Sequence, residues 1–190
     1  MSCVLVACGS TATDPSESSD PGSRPPVATA SQTAEPVPAA AVSVGVPRSL
    51  DIEAIGVAAP ILAVGINADG SQEVPTSVHE VGWWESGAEP AAAGNGVLVG
   101  HTYSRGDGVF DDLGDLREGD TITVTGSART ADFVVEKTAV VPVEDFADVA
   151  DDIYQTTGEP RLVVMTCGDY DGDSYRATVI VYARLFESHS

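Results

Sequence analysis

Cysteine and basic side chains are both scarce in this 190-residue chain, and each scarcity removes a class of protein. Two of its three cysteines, Cys3 and Cys8, fall within the first eight residues, which leaves Cys167 alone in the remainder. No disulfide framework can be built from one thiol. A zinc site is also disfavoured, because Cys167, His79, His101 and His189 show no ligand spacing. Nine Lys and Arg stand against 29 Asp and Glu, a formal net charge of −20. So anionic a chain is repelled by phosphate backbones, which argues against nucleic-acid binding and suits solubility in a salty or extracellular setting. No stretch is long and apolar enough to span a bilayer.

Aromatic residues are missing from the whole segment between Gly9 and about Val46, which is dominated by Ser, Thr, Pro, Ala and Gly. Such a stretch cannot bury enough apolar surface to offset its ordering entropy, so residues 1–46 are expected to form a leader and a disordered stalk. Within the leader, Leu5-Val6-Ala7-Cys8 matches a bacterial lipobox, although only seven residues precede Cys8 and none is basic. The segment is read as a clipped lipoprotein or anchor signal. Residues 47–188 remain as one domain, long enough to bury about two-thirds of its unfolded surface.

Turn residues punctuate this domain and helical periodicity is weak. Ser49–Val57 alternates apolar and polar residues, and Pro60–Ile66, Ser71–Val74, Gly96–Gly100, Thr121–Thr125, Asp132–Val141, Arg161–Thr166 and Arg176–Leu185 read as further strands. Asn67-Ala68-Asp69-Gly70 supplies a turn. Short helices are expected near Asp111–Leu116 and Val143–Tyr154. About eight strands with short connections predict an all-β barrel or sandwich.

Leu162-Val163-Val164-Met165-Thr166-Cys167 is an apolar strand that delivers a lone thiol to the loop Gly168-Asp169-Tyr170-Asp171-Gly172-Asp173. A free cysteine in a strand is ordinarily a small buried hydrophobe. At the junction with a loop it becomes a candidate nucleophile. Val97-Leu98-Val99-Gly100-His101 repeats the layout with a histidine, and Arg176 opens the next apolar strand. Thiol, imidazole and guanidinium together form a set for acyl transfer: nucleophile, proton carrier and oxyanion partner.

Val163-Val164-Met165-Thr166-Cys167, Gly100-His101 and Arg176 resemble the cysteine, histidine and arginine motifs of the sortases, the cysteine transpeptidases of the bacterial cell surface. The resemblance is greatest to the actinobacterial class F type and runs in order from Pro47 to about Leu185. It includes Asp69-Gly70 with Val74-Pro75, Val81-Gly82-Trp83-Trp84, Gly94-Asn95-Gly96 and Leu113-Gly114-Asp115-Leu116. What it implies is an eight-stranded barrel whose groove takes a C-terminal signal similar to Leu-Pro-x-Thr-Gly. Cys167 would attack between Thr and Gly, His101 would move protons, and Arg176 would hold the oxyanion. The acyl group would pass to an amine of a peptidoglycan precursor or pilin, or to water. Implied too are surface-protein substrates, a monomer, an extracytoplasmic location and membrane contact only through an N-terminal anchor.

Other features carry less. Thr166 is a candidate substrate contact, though a β-branched strand residue explains it equally well. Asp169, Asp171 and Asp173 suggest calcium at first glance, but Ser174 and Ile180 stand where an EF-hand needs Gly and Glu, so no cofactor is expected. Trp83 and Trp84 are read as core or groove-wall aromatics, and His79 and His189 as having no chemical role. An L,D-transpeptidase-like cross-linker would want a Ser-x-Gly-Cys motif that Met165-Thr166-Cys167-Gly168 lacks. The alternative from another class is a non-catalytic surface β-barrel that binds a partner from a lipid-tethered stalk.

Overall fold

A computed structural model describes residues 42–68 and 70–189. The expected leader and the stalk up to residue 41 lie outside the described residues, as does Asp69 of the expected turn. Eight strands close into a barrel in the order β1-β2-β3-β4-β7-β8-β6-β5. They are β1 (Pro47–Ile52), β2 (Val57–Val64), β3 (Val81–Trp84), β4 (Asn95–Gly100), β5 (Thr121–Gly126), β6 (Thr130–Pro142), β7 (Arg161–Tyr170) and β8 (Tyr175–His189). One helix, α1 (Phe146–Ile153), lies between β6 and β7 in sequence. The packed body begins before β1, since Val44 is fully buried and its N–H donates to Pro90 O at 2.9 Å.

Four expectations are corrected. Ser49–Val57 is not one strand: the turn Glu53–Ile55 interrupts it, and Gly56 at φ +66° reverses the chain into β2. Ser71–Val74 forms no strand and leaves only a bridge between Ile66 and Gln72. The helix expected over Asp111–Leu116 is reduced to a single 3-10 turn, Leu113–Asp115. β7 does not stop at Thr166, because hairpin pairing with β8 carries it on through Cys167↔Thr178, Gly168↔Ala177 and Tyr170↔Tyr175.

β4 and β7 run parallel, with Val97↔Val163 and Val99↔Met165 in register. Their side chains are buried on both faces, which is why they read as continuous apolar runs rather than alternating ones. Leu98, Leu162 and Val164 point into the barrel with Leu50, Phe110 and Phe133. Val97, Val99, Val163 and Met165 point outward, where Ile153 and Phe146 of α1 cover them together with Trp84 and Tyr154. Burying each such side chain contributes about 1.5–3 kcal/mol, so this double-faced pair is the rigid centre of the sheet.

Candidate active site

Strand alternation fixes which side chains can meet. Cys167 lies two residues beyond Met165 and so shares its outward face, whereas Thr166 turns into the barrel. Thr166 is buried, and its hydroxyl donates to Gly100 O at 2.9 Å, tying the end of β4 to β7. His101 follows directly on Gly100, the last residue of β4. Thr178 pairs with Cys167 across the hairpin. Arg176, two residues from Thr178, stands on the same face. Cys167 and Arg176 thus lie on adjacent strands, and His101 follows the end of β4, the strand on the other side of β7.

That face opens into an apolar groove of about 630 Å³. Ile66, Val74, Trp84, Phe146, Tyr154 and Met165 supply its walls, and Cys167 and Thr178 lie at its margin. Trp84 stacks edge-on against Tyr154, with ring centroids 5.0 Å apart. Its neighbour Trp83 faces the core, its indole N–H donating to Ala88 O at 3.2 Å. The two tryptophans therefore divide between groove wall and core.

The chemistry of each site residue follows from its surroundings. Cys167 is exposed at the groove, yet partial burial desolvates the thiol and pushes its pKa up. The resting side chain is therefore a thiol at neutral pH, and attack on a carbonyl needs a base. His101 Nε2 lies 2.7 Å from Pro75 O. A carbonyl can only accept, so Nε2 carries the proton and Nδ1 is left to take another. Arg176 Nε donates to Asp171 Oδ2 at 2.5 Å in the turn between β7 and β8. That carboxylate also accepts the N–H groups of Ser174 and Asp173, and these three donors hold Asp171 down at about 2. Among the described residues no cluster of three or more His, Cys, Asp or Glu side chains is arranged to hold a metal ion.

Three residues support the site in ways that the sequence did not reveal. Gly100 precedes His101 because a Cβ there would sit 2.5 Å from Phe110 Cδ2. Asp111 orders the loop after His101 by accepting from Thr102 Oγ1 at 3.0 Å, Tyr103 N at 2.6 Å and Gly108 N at 3.0 Å. Asn95, buried at the start of β4, donates through Nδ2 to the carbonyls of Asp152 and Ile153 at 2.7 and 3.1 Å. It thereby satisfies the C-terminal end of α1, the helix that walls the groove. Gly100-His101 and Gly94-Asn95-Gly96 stood out as motifs, but the role of Asn95 did not, since its partners are 57 and 58 residues away. His79 lines a separate cavity with Asp107, Val109 and Asp112.

Residues 50–186 match the family model described as Sortase domain. Among solved structures, the fold is similar to a Clostridium perfringens sortase D5 transpeptidase, with 25% identity and a TM-score of 0.57 over 75% of this chain and 79% of that one. A lid mutant of sortase A from Corynebacterium diphtheriae gives 24% identity and a TM-score of 0.58 over 75% and 70%. Sortase A from Listeria monocytogenes, at 17% identity, gives a TM-score of 0.59 over 77% and 90%. Curated protein sequences yield no match.

Proposed function

Because this chain belongs to the sortase family, we propose that it is a cysteine transpeptidase of the class F type found in actinobacteria, acting at the cell surface on C-terminal signals similar to Leu-Pro-x-Thr-Gly. One observation carries the reading: Cys167 lies at the margin of the apolar groove on β7, flanked by β4, which leads into His101, and by β8, which carries Arg176. The apolar walls suit the Leu and Pro of such a signal, and the margin at Cys167 receives the Thr-Gly bond.

In the first half-reaction Cys167 gives its proton to His101, and its sulfur bonds to the Thr carbonyl carbon. The carbonyl electron pair moves to oxygen, where Arg176 stabilises the charge. Collapse breaks the carbon–nitrogen bond, and His101 returns the proton to the departing glycine amine. In the second half an amine of a peptidoglycan precursor or pilin adds to the thioester and expels the Cys167 thiolate; water in its place gives the free acid. Each group is of the type its step requires, and no metal or cofactor is needed to balance the reaction. The groove's occupant would be a surface protein tail, and the enzyme would work as a monomer held to the membrane by its N-terminal anchor.

The test is incubation of the chain with a quenched Leu-Pro-x-Thr-Gly peptide, with and without an amine acceptor, followed by mass spectrometry. A thioacyl adduct on Cys167 that the amine discharges is the expected result. Failure to form any adduct across a panel of sorting peptides would turn the assignment towards a non-catalytic binding module.

A further inference from the structure

Arg176 differs from its two partners in that no buried strand pair holds it. Its side chain is 62% exposed, and a free arginine there would sample many rotamers. Asp171 restrains it. One carboxylate oxygen, Oδ1, is fixed by the N–H groups of Asp173 and Ser174, each at 2.9 Å, and the backbone N–H of Asp171 closes the same turn onto Ser174 O at 3.1 Å. The other oxygen, Oδ2, receives Arg176 Nε. The turn is in turn referenced to the histidine side of the site, because Tyr170 and Tyr175 pack ring against ring and Tyr175 Oη donates to Thr102 O at 3.3 Å.

We propose that Asp171 is a positioning residue for Arg176, holding the guanidinium through Nε so that its two terminal nitrogens are left to meet the oxyanion. This rests on the transpeptidase reading. The donor geometry favours positioning over sequestration: Nε lies at the root of the fork, and its engagement orients the plane while keeping the terminal N–H donors unspent. With its carboxyl held at about 2 by Ser174, Asp173 and Arg176, Asp171 is ionised throughout the range in which thiol chemistry proceeds.

Asp171→Asn tests the proposal, since an amide oxygen still accepts from Asp173 and Ser174 and keeps the turn, while an amide nitrogen cannot accept from Nε. With the wild type active on a sorting peptide, kcat is expected to fall about 10- to 100-fold, the size of a modest misplacement, with KM changed less than about twofold. Introduced into an Arg176→Ala background, the same substitution should do nothing further, which a purely structural role of Asp171 would not produce. The Arg176 Nε–H resonance, assigned by its loss in Arg176→Lys, should exchange slowly in the wild type and rapidly in Asp171→Asn. An unchanged or increased kcat in Asp171→Asn overturns this inference alone, the increase meaning that the pair sequesters Arg176. A wild type inert towards every sorting peptide overturns the transpeptidase reading and this inference with it.

Discussion

The two sides of the groove mouth are built in opposite ways. Cys167 and His101 continue β7 and β4, the parallel pair buried on both faces, and Thr166 stitches those strands together from inside the barrel. Arg176 stands on a hairpin whose tip is exposed, held by one ion pair to a carboxylate that the turn itself organises. In the proposed reaction the difference separates two tasks. Nucleophile and proton carrier must keep a fixed mutual geometry, which close-packed strands provide. The oxyanion partner has to meet a charge that exists only after attack, and a restrained but exposed arm can do so without tight packing.

The contrast can be broken most completely at the thiol. Cys167→Ala removes the only thiol among the described residues, so no adduct at position 167 and no turnover should be found by mass spectrometry, while melting should change little at this exposed position. Next is Arg176→Ala, expected to lower kcat/KM by about 10²–10³, the usual cost of one oxyanion donor. Its melting temperature should match the wild type, because an exposed ion pair contributes little to stability. If Arg176→Ala unfolded the chain, the hairpin would be part of the rigid scaffold and the contrast would fail.

A substitution on the strand side should behave differently, losing stability and activity together. Gly100→Ala places a methyl group 2.5 Å from Phe110 Cδ2 and 2.8 Å from Val109 Cγ1, and Phe110 is fully buried with no room to retreat. Overpacking of this kind costs about 1–3 kcal/mol, and the displaced strand end carries His101 with it. Calorimetry should record a fall of about 2–4 °C for each kcal/mol lost. Thr166→Val should cost a similar amount by another route: it keeps the shape, removes the buried hydroxyl and leaves Gly100 O short of a donor, for about 1–3 kcal/mol.

The same contrast explains what could be read from the sequence. β4 and β7 were legible as apolar runs because both of their faces are buried, and the polar residue ending each run stood out as His101 and Cys167. Arg176 was legible as a charged residue opening a strand and as a candidate oxyanion partner, but its clamp depends on a turn geometry that Asp171-Gly172-Asp173-Ser174 does not announce. β3 was missed because Val81-Gly82-Trp83-Trp84 is four residues long with no alternation. Its Gly82 fits under Val64, where a Cβ would come within 2.8 Å of Val64 Cγ2. The reach of β7 past Cys167 was missed because its last residues are polar and exposed, paired on one side only. Backbone pairing, which extends them, leaves no mark on side-chain type.

The smallest effect concerns the resting thiol. Since desolvation by partial burial raises its pKa, Cys167 should be alkylated by iodoacetamide with a midpoint above that of the same residue in the chain unfolded in urea. Linkage gives the matching stability effect. Between the ordinary thiol pKa and the raised one, the unfolded chain has released the proton that the native chain still holds. Stability therefore falls as pH rises through that window and is unaffected below it. Cys167→Ala should remove this decline while leaving stability at neutral pH unchanged. Arg176→Ala should leave the alkylation midpoint where it is, because the guanidinium is committed to Asp171 in the resting state and desolvation alone raises the thiol. A midpoint that climbs in Arg176→Ala would mean that the hairpin already acts on the thiol before substrate arrives, and the two sides of the groove mouth would be coupled from the start.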